Sequence, residues 1–146
     1  MYGVKPDPME LPNTAIDGSV SLHAAAAAGH VPTVRELLNC GHELNARNSR
    51  GQTPLSMAAK HGHLEVAKEL LSQPGIDVNA VDLERRTALY WAASRNRPQV
   101  LRVLLENEQI QPQIETEWAE TPLEIAMDMG YSEAVVVFDG AGVCDQ

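Results

Sequence analysis

The stretch GQTPLSMAAKHGH, Gly51 to His63, sets a turn glycine, a Thr-Pro pair, small apolar residues and a closing Gly-His in one line. Thr53 offers the side-chain oxygen that caps a helix N-terminus. Pro54 follows at the first helical position, where its missing N–H removes nothing. Gly62 can take the left-handed conformation that ends a helix. The stretch therefore predicts a short helix closed by a glycine. It leaves open whether the two histidines, His61 and His63, serve the backbone or a metal.

The same line recurs along the chain. SLHAAAAAGH (21–30), PLSMAAKHGH (54–63), ALYWAASRNR (88–97) and PLEIAMDMGY (122–131) align, with Leu22, Leu55, Leu89 and Leu123 spaced by 33, 34 and 34 residues. A second helix follows in each unit, read from VRELL (34–38), AKELL (67–71) and RVLLE (102–106). Its apolar residues fall at helical spacing, as in Val66, Leu70 and Leu71. The loops LNA (44–46) and VNA (78–80) keep the period, and the one-residue change in spacing falls in a loop, where insertions are tolerated. Alanines such as Ala25, Ala26, Ala58, Ala59, Ala92 and Ala93 let neighbouring helices approach closely.

These residues resemble the ankyrin repeat, whose pattern T-P-L-H-x-A is matched by TPLSMA and, more loosely, by VSLHAA, TALYWA and TPLEIA. The resemblance covers about residues 15–143 and divides them into repeats of about 15–47, 48–80, 81–114 and 115–143. A Pro-rich tail (1–14) precedes them and a short end (144–146) follows. It implies an all-α repeat solenoid of antiparallel helix pairs, with hairpin-like loops at right angles and a concave groove. Three departures stand out. Val20-Ser21 replaces Thr-Pro in repeat one, Asn96-Arg97 replaces Gly-His in repeat three, and Arg85 and Ala119 occupy the turn-glycine position. Asn96 is the next best residue for a left-handed helix end, while the turns at Arg85 and Ala119 are expected to be strained or reshaped.

Composition agrees with a helical stack and narrows the function. Aromatics are only 4% of the chain, with Phe138 the sole phenylalanine, so a core must be built from closely packed Leu, Val and Ala. The net charge is −9, and residues 115–146 carry eight acidic side chains and no basic one. Nucleic acid is not expected as a partner of such a surface. No apolar run is long enough to cross a membrane, and the N-terminus does not read as a signal peptide. Cys40 and Cys144 form no framework, which points to a reducing setting, the cytoplasm first and the nucleus second.

No phosphate loop, G-x-S-x-G or HExxH motif occurs, so no catalytic residue and no cofactor is expected. A zinc site from His61 and His63 would need two further ligands, with Cys40 and His42 an unconvincing supplement. By the resemblance, His23, His30 and His63 satisfy backbone groups, whereas His61 faces the groove.

What remains is recognition of a protein or peptide. By the resemblance, partner contacts come from the loop tips and the outward positions of each first helix. These are Ile16, Asp17 and Ser19 in repeat one, beside the small Ala27 and Ala28, then Ser49, Arg50, Gln52, Lys60 and His61 in repeat two. Leu83, Glu84, Arg86, Ser94 and Arg95 follow in repeat three, and Glu117, Trp118, Glu120, Asp128 and Met129 in repeat four. Arg50, Lys60, Arg86 and Arg95 make a basic middle suited to an acidic or phosphorylated segment. Trp118, at a tip among carboxylates, is the expected apolar anchor. Tyr90 and Trp91 are expected in the core, with the Trp91 indole able to reach the groove floor. Two other functions stay open: a small-molecule binder or unusual enzyme working from the groove, and a scaffold segment of a longer repeat protein. Val136 stands where Arg35, Lys68 and Arg102 stand in earlier repeats. The run Val135, Val136, Val137 and Phe138 is therefore expected either to meet further repeats or to self-associate.

Overall fold

The computed structural model describes residues 21–143, and the structural statements below are made of those residues. The tail 1–14, the tip residues Ile16, Asp17 and Ser19, and the end 144–146 lie outside them. Eight helices come in four pairs: α1 (Leu22–Ala28) with α2 (Val31–Asn39), α3 (Pro54–His61) with α4 (Leu64–Leu71), α5 (Ala88–Ser94) with α6 (Pro98–Leu105), and α7 (Pro122–Asp128) with α8 (Ser132–Gly140). The first helices pack in series, α1 on α3, α3 on α5 and α5 on α7, and the second helices form a parallel series beside them. Among the described residues there is no strand, and the architecture is an all-helical repeat solenoid.

Each first helix starts where a hydroxyl can accept a backbone N–H. Thr53, Thr87 and Thr121 are extended, and their side chains accept from Ser56, Tyr90 and Glu124. In α7 the Glu124 carboxylate also accepts from Thr121 N at 2.9 Å, closing a capping box. Repeat one departs as its sequence requires, because valine at 20 has no acceptor to offer. Ser21 caps instead, accepting from Ala24 N at 3.0 Å, and α1 begins one residue later against the shared leucine. Each such cap contributes about 1 kcal/mol.

The helix ends explain the Gly-His grammar. Gly29 and Gly62 both sit at φ +75°, which admits glycine without strain. There is a second reason. A Cβ on Gly29 would lie 2.5 Å from His63 Nδ1, and one on Gly62 would lie 2.8 Å from Arg97 Cδ. The next repeat therefore packs directly on the glycine. Asn96 takes the same left-handed role in repeat three at φ +56°.

The three described turns share one closure: Asn48 N donates to Gln52 O, Asp82 N to Arg86 O and Thr116 N to Glu120 O, each at 3.0 Å. Their fourth residues, Gly51, Arg85 and Ala119, have φ of +77°, +62° and +61°. The turns at Arg85 and Ala119 thus keep their shape and carry the strain, on the order of 1–2 kcal/mol per side chain. Successive tips are linked by Leu83 N to Arg50 O and Glu117 N to Glu84 O, both 3.1 Å. Asn45 clasps the next loop through Gly75 O and Asp77 N, and Asn79 repeats this with Gln109 O and Gln111 N.

Burial follows the repeat. Leu22, Leu55, Leu89 and Leu123 are buried, and the alanines at the helix contacts are fully so. Val34, Leu70, Leu104 and Phe138 fill the space between the two helix rows. Short side chains at the contact let dispersion act over closely approaching backbones.

Candidate functional site

The turn and first-helix ends of repeats two and three bring three cations onto one ring. Lys60 ends α3, Arg86 closes the 82–86 turn, and Arg95 follows α5. Around the Trp91 ring centroid, Arg86 Cζ lies at 4.3 Å, Lys60 Nζ at 4.8 Å and Arg95 Cζ at 5.4 Å. Each such contact contributes about 0.5–2 kcal/mol, more as water is excluded. Burial, then the charges of Arg95, Arg50 and Arg86, push the Lys60 ammonium below its ordinary range, with Asp82 opposing. Arg50 therefore belongs to the same electrostatic group. Trp91 itself is 6% exposed, and its Nε1–H is buried without an acceptor among the described residues. It packs into the core as expected, and its N–H is buried rather than presented to the groove.

Arg86 needs correction. Its Nε donates to Asp82 Oδ2 at 3.0 Å and its second terminal nitrogen to Glu84 Oε1 at 2.5 Å, with the Arg86 side chain only 17% exposed. Asp82 also accepts the backbone N–H of Glu84 and Arg86. Arg86 is thus spent inside its own turn and does not offer a free charge to a partner. Glu120 is likewise engaged, because it accepts from the Tyr90 hydroxyl at 2.9 Å. Burial and this bond push the Tyr90 phenol up to about 12.

Among the other expected contacts Gln52 is buried, its carbonyl taken up by Asn48 N and His23. Leu83, Glu117 and Met129 are exposed, and Arg50 sits at a tip with its carbonyl bound to the next turn. Trp118 is 58% exposed, so its ring does not fold under the neighbouring helices. It borders a cleft with Glu120, Glu124, Met127 and Asp128. His61 is exposed, with its ring 6.3 Å from that of His63. Burial first, then Lys60, His63, Arg95 and Arg97, hold its imidazole below the usual range, which keeps it neutral near pH 7.

The other histidines serve the stack. His23 Nε2 donates to Gln52 O and His63 Nε2 to Ala27 O, both at 2.8 Å across a repeat boundary. His30 Nδ1 meets the Thr33 hydroxyl instead. Among the described residues, no three His, Cys, Asp or Glu side chains gather as a metal site.

The C-terminal helix also needs correction. Of the four residues expected to self-associate, Phe138 is fully buried and Val137 nearly so, and Val135 is partly covered; Val136 alone is presented, at 65% exposure. The unbroken VVVF run has no period of its own, so only the repeat alignment could separate inside from outside. The roles of Asp82 and Glu84 were missed for a related reason. Asp82 stands where Asn48 stands, and an acid four residues before Arg86 was the available signal.

Two family models match the chain. One described as ankyrin repeats (3 copies) covers residues 4–82, and one described as ankyrin repeats (many copies) covers residues 73–126. Among curated proteins, the chain is 44% identical over 84 residues to a probable E3 ubiquitin-protein ligase of Oryza sativa subsp. japonica, covering 58% of this chain and 16% of that protein. It is 31% identical over 94 residues to Rabankyrin-5 of Mus musculus, covering 64% and 8%. It is 36% identical over 110 residues to neurogenic locus notch homolog protein 1 of Xenopus tropicalis, covering 75% and 4%. The chain thus spans only a small part of the length of these relatives.

Proposed function

The chain belongs to the ankyrin-repeat family, and from that premise we propose that it is a non-enzymatic module binding an acidic partner segment along its tips and first helices. Ankyrin repeats generally mediate protein–protein interaction. One observation carries the finer reading: in a chain of net charge −9, Lys60 and Arg95 converge on a buried tryptophan. Docking would be rigid, with Lys60 and Arg95 meeting acidic groups and exposed Trp118 adding apolar area. Arg86 holds the floor in place. Nothing supports an enzyme or a small-molecule site in preference to this reading, and the similarity to a probable ubiquitin ligase covers 16% of that protein.

A photo-crosslinking residue at Ser94, on the proposed face, compared with one at Glu65 on α4, tests the surface in native lysate. Partner adducts from position 94 and none from position 65 are expected. The same adducts from both positions, or adducts from 65 alone, would contradict the placement.

A second reading rests on Val136, the one exposed residue of the VVVF run. Under it the chain self-associates, so its mass by light scattering rises with concentration and Val136→Lys abolishes the rise. A concentration-independent monomer removes this reading.

A further inference from the structure

We propose that the cluster on Trp91 is an oxyanion site, built for the dianionic phosphate of a phosphorylated side chain on the partner segment. The inference deepens the proposed function and rests on it, since it names the group received at the same surface.

Charge is the first reason. Lys60 and Arg95 stand over the Trp91 ring without a carboxylate partner among the described residues, while Arg86 is answered by Asp82 and Glu84, so two positive charges at the ring are unanswered. A carboxylate would neutralise one of them and leave the other repelled by its neighbours. A phosphate monoester carries about −1.5 to −2 at pH 7 and three acceptor oxygens. Both charge and acceptor number then match.

Donor geometry is the second. Lys60 and Arg95 surround the Trp91 ring at 4.8 and 5.4 Å from its centroid, and neither forms an ion pair among the described residues. A lysine supplies three donors and an arginine five. The Trp91 Nε1–H lies on the same ring, buried and unpaired among the described residues, so its signal reports on the cations packed around the ring.

Rigidity is the third. Arg86 is fixed by Asp82 at 3.0 Å and lies 4.3 Å from the ring centroid, so the floor is set before any ligand arrives. Burial first, then repulsion from Arg95, Arg50 and Arg86, lowers the ionisation of Lys60. A dianion relieves that repulsion.

The test uses the full 15N-labelled chain and its two indole N–H signals, one from Trp91 and one from Trp118. Trp118→Phe removes one signal and so assigns both. Inorganic phosphate and O-phosphoserine are titrated at pH 7.5, beside acetate, serine and sodium chloride at matched ionic strength. Saturable movement of the Trp91 signal with the two phosphates, and none with serine or chloride, is expected. Lys60→Gln and Arg95→Gln should each weaken the response about tenfold, the size of one charge-assisted hydrogen bond. An unmoved Trp91 signal, or equal movement with acetate or chloride, would overturn the phosphate assignment. That failure leaves the crosslinking result at Ser94 untouched, so the site and the binding surface are judged separately.

Discussion

Arg86 is bound to Asp82 across its own turn at 3.0 Å, with the Asp82 side chain only 1% exposed. Arg86, one of four expected basic contacts, is therefore part of the scaffold beneath the surface. Arg86→Gln should lower stability by about 2 kcal/mol in urea unfolding, since it leaves a buried carboxylate without its counterion. The cost stays below that of a wholly buried pair because Asp82 keeps two backbone donors. Arg95→Gln, at an exposed position, should change stability by no more than about 0.5 kcal/mol. Equal losses in the two variants would contradict this division of roles.

The glycines that end first helices should differ although their φ values agree. Gly29→Ala meets both the left-handed backbone and the His63 ring, whereas Gly130→Ala meets only the backbone, with nothing within 4 Å of the added Cβ. Losses of about 3 kcal/mol and about 1 kcal/mol are expected, from thermal or urea unfolding. Ala119→Gly should act in the opposite direction and stabilise by about 0.5–1 kcal/mol, because glycine removes the strain at φ +61°. A destabilised Ala119→Gly would show that the turn is not strained.

Much of this was legible in the sequence because it repeats. The period located every helix, Thr53 and Thr121 marked their starts, and Gly62 and Asn96 marked their ends. Even the left-handed Arg85 and Ala119 followed from their standing at a glycine position. What the pattern could not give was pairing between side chains. Residue types place Asp82, Glu84 and Arg86 in one turn, but only coordinates show that they neutralise one another. Trp91 was readable as core, while the cations around its ring depended on where Lys60 and Arg95 ended up. The one-residue shift of the cap to Ser21 needed the knowledge that valine at 20 leaves no acceptor.

The link between repeats three and four should weaken in a measurable way. Tyr90→Phe removes the hydroxyl that donates to Glu120 at 2.9 Å. A loss of about 1.5 kcal/mol is expected, the lower end for one hydrogen bond to a charged group after solvation. Hydrogen exchange should quicken in α7 and α8 before α1 and α2, because a stack loosens between neighbours. Uniform quickening would contradict a local effect.

Acid sensitivity should depend on His61. The folded chain holds its imidazole below the value of about 6.5 found in unfolded chains. The unfolded state then binds more protons as pH falls through that value, and stability falls with it. His61→Gln should flatten the decline between about pH 6.5 and pH 5 while leaving stability near pH 8 unchanged. An identical acid limb in both proteins would remove His61 as its source.

The account turns on whether Lys60 and Arg95 receive a partner, and capture from native lysate with quantitative mass spectrometry measures that most directly. Immobilised wild type is compared with Lys60→Glu/Arg95→Glu, and with Lys68→Glu on the exposed side of α4 as a control of charge alone. The account predicts that the proteins captured by wild type are lost with the double variant and retained with Lys68→Glu. The same proteins captured by all three would contradict it.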